Sequence, residues 1–168
     1  ILLRCLCIFL HIVEECYKLG ARHVEVMWEH DPVAKIQYKK ESLKSLSRVS
    51  EVAIKRQEYL TKELPVMIYL ESSDPDAFKG VDQGKIAKIR QNQYPILKPY
   101  RDQRENKYQW CIAGAPSVAW AKKVFPELSP KKAVNALWDA ILKTSRCDED
   151  PIKAWEKHNA NLAKRTNY

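Results

Sequence analysis

Glycine is scarce in this 168-residue chain: Gly20, Gly80, Gly84 and Gly114 are its four. So few leave little material for a phosphate-cradling loop, and neither G-x-G-x-x-G nor a Walker loop occurs. Gly-x-Ser-x-Gly is missing too, which removes a nucleophile elbow. There is no His-Glu-x-x-His, and the four histidines, His11, His23, His30 and His158, lie far apart in sequence. The five cysteines, Cys5, Cys7, Cys16, Cys111 and Cys147, include no C-x-x-C pair. Scattered in apolar contexts, they are expected to be small buried thiols in a reducing compartment. No apolar run is long enough for a bilayer span of about 20 residues. The most apolar stretch, Ile1 to Val13, has no initiator Met and no small-residue cleavage site before Glu14–Glu15. It is expected to be a buried helix with Gly20 as its C-cap. A start on Ile also suggests a piece of a longer protein.

Against these absences stand a 45% hydrophobic content, enough for a core, and a 30% charged content with 29 basic and 21 acidic side chains, net +8. An excess of positive charge can favour nucleic acid or an anionic surface. The signs are mixed, however, through Lys39, Lys40, Glu41 and Lys44, and through Arg101, Asp102, Arg104 and Glu105. That mixture reads as solvated helix faces, so nucleic-acid binding is not expected.

Helical and extended patterns alternate along the chain. His23–Trp28 is short, β-branched and aromatic, and reads as a strand. Asp31–Pro32 follows as a turn. A helical pattern then runs from about Ala34 to Leu64, with Leu43, Leu46, Val49, Val52, Tyr59 and Leu60 as its apolar positions. Pro65 closes it. Val66–Leu70 is an almost unbroken apolar run, as in a parallel strand buried on both faces. After a loop at Ser72–Pro75 comes a basic helical stretch, Lys85 to about Asn106, which Pro95 and Pro99 should kink or break. Tyr108–Gly114 is the third strand. Pro116–Ser117, Ser129–Pro130 and Asp150–Pro151 each open a helix. The second of these carries a 3.6-period stripe: Val134, Leu137, Trp138, Ile141 and Leu142. The expectation is one α/β domain over residues 1–168. Its mostly parallel sheet of three to five strands is flanked by helices, one strand lies before Ile1, and the carboxyl-terminal third is helical.

No constellation of chemistry stands out. Glu29-His30-Asp31 are adjacent and point apart, so a strand-end loop with a capping Asp31 is the better reading. Gly114-Ala115-Pro116-Ser117 sits at a strand-to-helix turn, where α/β sheets bind ligands. Pro116 removes one of the amides such a site would use, and Ser117 reads as a helix cap. Glu14–Glu15 and Asp148-Glu149-Asp150 pair carboxylates without an identifiable cleft. Asp148 to Asp150 precede a helix start, where negative charge meets the dipole. Trp110, Trp120, Trp138 and Trp155 suggest a tryptophan-rich core or interface.

The order of these landmarks carries a resemblance. Trp110-Cys111-Ile112-Ala113-Gly114-Ala115-Pro116-Ser117 leads to Trp120–Pro126, then to Ala136–Ile141, Arg146, Asp150-Pro151, Ala154-Trp155, His158, Leu162 and Arg165. Tyr17–Ala21, with Val24, Val26, Trp28 and Asp31, and Asp74-Pro75 with Gly80-Val81-Asp82, precede them. From about Val13 onward this succession resembles the amino-terminal domain of the thermophilic metallo-aminopeptidase family, of aminopeptidase T and aminopeptidase S type. The resemblance implies a cytoplasmic, homodimeric exopeptidase that removes amino-terminal residues from peptides. It also implies a pair of divalent ions (zinc, cobalt or magnesium) held in a second domain downstream. It therefore assigns no catalytic, cofactor-binding or metal-binding residue here, and this chain would be a non-catalytic, dimer-shaping domain. The alternative is a stand-alone basic module for RNA or another anionic partner, resting on the Lys/Arg-rich span from Lys85 to Lys107.

Overall fold

The computed structural model describes the backbone of residues 2–166 and the side chains of residues 8–166. They form two compact units: Ile1–Arg22 with Gly114–Tyr168, and His23–Ala113.

The first unit begins with helix α1, Leu2–Lys18. Its end is a Schellman motif: the Ala21 N–H bonds the Cys16 carbonyl at 2.9 Å and the Gly20 N–H bonds the Tyr17 carbonyl at 3.0 Å. Gly20 sits at φ +91°, where a side chain would be strained, so the glycine is required there. After Gly114 come α6 (Val118–Val124), α7 (Pro130–Thr144) and α8 (Pro151–Thr166). Ser117 caps α6, its Oγ accepting from the Trp120 N–H at 3.1 Å. Pro130 opens α7 behind Ser129. Asp150 caps α8, accepting from the backbone N–H groups of Ile152 and Lys153 at 3.1 and 3.2 Å.

Helices α6 and α7 meet through Ala121 and Ala133, both fully excluded from solvent. Two alanines let the backbones approach closely. Val134 and Leu137 fill the contact, with Val118, Trp120, Phe125, Leu128, Trp138 and Ile141 around it. The stripe expected on α7 is therefore its core face, except that Leu142 is exposed. A Cβ built on Gly114 would stand 3.1 Å from both the Trp120 ring and the Ile141 methyl. That glycine serves close packing.

The second unit holds α2 (Asp31–Lys40), α3 (Leu43–Ser47), α4 (Glu51–Glu63), β1 (Met67–Glu71), α5 (Gln83–Arg104) and most of β2 (Trp110–Gly114). Strands β1 and β2 pair in parallel, with α5 as their crossover. This is one βαβ unit, and the helix is needed because parallel strands cannot be joined by a tight turn.

Four expectations are corrected here. His23–Trp28 is not a strand: the described residues contain a two-stranded sheet, and this segment joins neither edge. A β-branched, aromatic run becomes a strand only where a neighbour offers backbone partners. Glu25 is held instead by its side chain, in an ion pair with Arg56 of α4. The expected helix from Ala34 to Leu64 is three helices, because Ser42 and Ser50 turn their hydroxyls onto the N–H groups of Ser45 and Ala53 and start new ones. Val52 and Tyr59 are exposed, and the inward positions of α4 are Ala53, Ile54, Gln57 and Leu60. Strand β1 is not buried on both faces within this chain: Ile68 is 44% exposed and Tyr69 43%, and in β2 Ile112 and Trp110 are more than half exposed.

The fourth correction concerns the break allowed for in α5: it does not occur, and one helix runs through Pro95 and Pro99. Each proline costs about 3 kcal/mol in an isolated helix interior, and neighbours offset that here. The Gln93 amide donates to the Leu46 carbonyl at 2.8 Å, Asn92 to the Ser47 hydroxyl at 2.9 Å, and Arg104 to Gln57 Oε1 at 2.8 Å. Helices α3 and α4 thus grip α5 on both sides of the prolines.

At the other end of α5, Asp82 caps the helix by accepting from the Lys85 N–H at 3.0 Å. Val81, Ile86 and Ile89 are buried. The Lys85 ammonium reaches the carbonyls of Tyr38, at 2.6 Å, and Glu41, at the carboxyl end of α2. These are orphan acceptors, and a cation complements the helix dipole there. Tyr38 also packs edge-on against Phe78, ring centres 5.5 Å apart.

Two outcomes follow. Lys85→Met should lower stability by about 2 kcal/mol, since charge-assisted bonds to part-buried carbonyls are lost; a urea unfolding midpoint checks it. Asp150 is held below its ordinary 3.8, first by its hydrogen bond with the Lys153 side chain and then by the Lys153 backbone N–H. A depressed carboxyl contributes stability above its unfolded value and loses it as pH falls through its folded value. Asp150→Asn keeps a cap but loses the charge. Its stability gap to the wild type should therefore close on going from about pH 6 to about pH 2.5 in thermal unfolding.

Candidate functional site

The structure scatters the acids and histidines. His11 pairs only loosely with Glu14 on the exposed face of α1, at 3.7 Å. Glu15 is bound to Lys18 at 2.7 Å. His30 is the N-cap residue of α2, its carbonyl accepting from the N–H groups of Val33 and Ala34. Asp31 lies in the first turn of that helix, so the cap expected at Asp31 is one residue earlier. His158 packs edge-on against Trp155, ring centres 5.5 Å apart. Among the described residues no three His, Cys, Asp or Glu side chains converge as a metal would need. As placed among the described residues, these donors do not fit a divalent-metal centre.

The strand-to-helix turn is closed as well. Ala115 and Pro116 are buried, and the Ser117 hydroxyl is engaged by the Trp120 N–H. At the carboxyl end of β1, Glu71 accepts from the Ser73 N–H at 2.9 Å. Hydrogen bonds from the Ser73 side chain and backbone hold its carboxyl below the usual range. Asp74 does the same for the Asp76 N–H at 2.9 Å, so these acids shape a turn. Tyr69 is pushed above its ordinary value, first by burial and then by its hydrogen bond with Tyr108.

Cysteine and tryptophan depart from expectation. Cys16 is half-buried, but Cys111 and Cys147 are exposed free thiols rather than core hydrophobes. Cys5 and Cys7 lie outside the residues whose side chains are described. Trp120 and Trp138 join the α6–α7 core, whereas Trp110 is largely exposed and Trp155 partly so.

What the fold does gather is positive charge, at two places. On α5, Arg90, Tyr94, Leu97, Arg101 and Arg104 recur at alternate steps of four and three and share one face. With Gln57 of α4 they line a groove of about 330 Å³. The Arg101 guanidinium lies over the Tyr94 ring, 5.5 Å from its centre. The mixed signs in the sequence are thus partly sorted by the helix: Lys98 is neutralised by Asp102, while the arginines of the groove face no acid that lines it.

The second place lies where α7 meets α8. The carboxyl end of α7 is another Schellman motif, with the Cys147 N–H on the Leu142 carbonyl at 2.7 Å and the Arg146 N–H on the Lys143 carbonyl at 3.2 Å. The left-handed residue is Arg146, at φ +57°, where glycine is usual. Its guanidinium lies over the Trp155 ring at 5.6 Å, and the Trp155 indole N–H is fixed by the Ser145 carbonyl at 2.9 Å. On α8, His158, Asn161, Leu162 and Arg165 follow at i, i+3, i+4 and i+7, on one face. With Arg146 they line a cleft of about 210 Å³. The α8 spacing was readable in the sequence. The approach of Arg146 was not, because it depends on how α7 ends.

Comparison with known proteins places this architecture. A family model described as thermophilic metalloprotease (M29) matches residues 3–168, so the likeness starts well before Val13, where the sequence reading put it. Aminopeptidase AmpS of Bacillus subtilis is 36% identical over 159 residues, 94% of this chain and 39% of that protein. Aminopeptidase PepS of Streptococcus thermophilus is 34% identical over 154 residues, 90% of this chain and 37% of that protein. The structure of wild-type AmpT from Thermus thermophilus superposes with a TM-score of 0.75 at 25% identity, covering 89% of this chain and 36% of that one. The chain thus spans about two fifths of the length of the curated relatives it matches. Over nearly its whole length, it belongs to the thermophilic metalloprotease (M29) family.

Proposed function

We propose that this chain is the non-catalytic amino-terminal domain of a metal-dependent aminopeptidase that removes amino-terminal residues from peptides in the cytoplasm. The carrying observation is a family match that runs over residues 3–168 while the chain spans only about two fifths of its relatives' length. Two-metal hydrolysis needs several carboxylate and imidazole ligands around ions about 3.5–4 Å apart. In this reading those ligands, for zinc, cobalt or magnesium, belong to sequence downstream. Among the described residues no helix is long and apolar enough to cross a membrane.

The half-exposed strands support a supporting role. Val66, Trp110 and Ile112 are apolar and open in the chain alone. Large exposed apolar patches mark interaction surfaces. In this reading they are covered by the rest of the enzyme and its homodimer partner.

The test has two arms. The purified chain should release no leucine from leucyl peptides with zinc, cobalt or magnesium added. The same chain, substituted for the matching segment of Bacillus subtilis AmpS, should give a folded chimera with metal-dependent leucine release. Activity of the chain alone would sink the division of labour, and a folded but inactive chimera would sink the family role. Sedimentation should show self-association of the isolated chain; a clean monomer at all concentrations counts against the interface role.

The arginine face of α5 is the one observation favouring the alternative, a stand-alone module for RNA. RNA binding by such a module would persist at about 0.15 M salt and fall steeply above it. The expected result is no binding at that salt.

A further inference from the structure

We propose that the cleft between the end of α7 and the face of α8 is a binding site for a dianionic oxyanion group, gripped by the guanidiniums of Arg146 and Arg165. Four of the five described residues lining it carry polar side chains that can donate hydrogen bonds: Arg146, Arg165, His158 and Asn161. Among the described residues no acid lines it and neither guanidinium makes an ion pair. Arg146 and Arg165 each bring a positive charge to one cleft, and an anion bound there would offset their mutual repulsion.

The Arg146 side of the cleft is also held in place. Arg146 occupies a left-handed backbone position that disfavours side chains, and strained positions concentrate where a side chain has a task. Its guanidinium lies over the Trp155 ring at 5.6 Å, a cation–π contact that engages the face of the group rather than its N–H donors. Trp155 is anchored by the Ser145 carbonyl and is in turn in edge contact with His158. Arg146 and His158 thus share one indole as their support, so less rotamer freedom is lost on binding. Leu162 supplies an apolar wall.

The volume suits a small group. Water occupies about 30 Å³ per molecule in the liquid. A cleft of about 210 Å³ therefore admits a phosphate monoester or two adjacent carboxylates with a short stem. These share the chemistry of several oxygens and two negative charges, matched to two guanidiniums.

Titration of the chain with inorganic phosphate, and separately with succinate, followed by NMR at the Trp155 indole and the His158 ring, tests the site. Saturable shifts at both residues are expected with at least one probe. A response to phosphate alone assigns a phosphate group, and a response to succinate assigns paired carboxylates. Arg165→Gln, at an exposed helix position, and Arg146→Gly, which suits the left-handed backbone, should each weaken binding about tenfold. Lys157→Gln removes a positive charge from α8 outside the cleft and should leave affinity unchanged. Shifts with neither probe, or equal weakening by Lys157→Gln, would overturn the proposal.

Discussion

Parallel pairing of β1 and β2 imposes a crossover, and the crossover is α5. The unit from His23 to Ala113 is organised around that helix. Its amino end is fixed by the Asp82 cap and by Lys85, whose ammonium ties the end of α2 to it. Its middle contains Pro95 and Pro99, which spaced by four fall on the same face and remove two hydrogen bonds of the ladder. A helix so weakened in isolation persists because side-chain bonds from Asn92, Gln93 and Arg104 to α3 and α4 hold it. The helix and its neighbours are mutually dependent: α3, of five residues, has little stability without α5 to lie against.

That dependence explains which parts of the fold the sequence revealed. Helix starts were legible because capping is local. Ser117, Ser129–Pro130 and Asp150–Pro151 mark their helices within one residue, as Gly20 marks the end of α1. Strands were less legible, since a strand is defined by a partner. His23–Trp28 has the composition of a strand and no ladder, while Val66–Leu70 and Tyr108–Gly114 contain β1 and β2 except for a residue or two at their ends. The prolines of α5 misled for the opposite reason: a strong local signal was overridden by tertiary contacts. Serines 42 and 50 were local signals too, passed over because the apolar positions on either side kept a roughly helical spacing.

The other unit shows what small residues do. Ala121 and Ala133 bring α6 and α7 close enough for Trp120 and Trp138 to close the core from its edges. Gly114 allows the chain to enter this packing beneath the Trp120 ring. Glycine scarcity therefore has a positive meaning: Gly20 supplies a left-handed turn and Gly114 a close contact, and neither supplies a ligand loop.

Charge was the least legible property, because its meaning depends on which face each residue takes. The sequence shows Lys85 to Lys107 as mixed in sign, yet the helix directs Arg90, Arg101 and Arg104 into one groove and leaves Asp102 to Lys98. In the same way Arg146, His158 and Arg165 are separate landmarks in the chain and neighbours in the fold. Their convergence depends on the left-handed turn at Arg146, which swings α8 back beside the end of α7. A glycine at that turn would serve the backbone better. The arginine gives up some backbone ease for a guanidinium braced against Trp155, and that exchange makes the cleft more than a by-product of chain reversal.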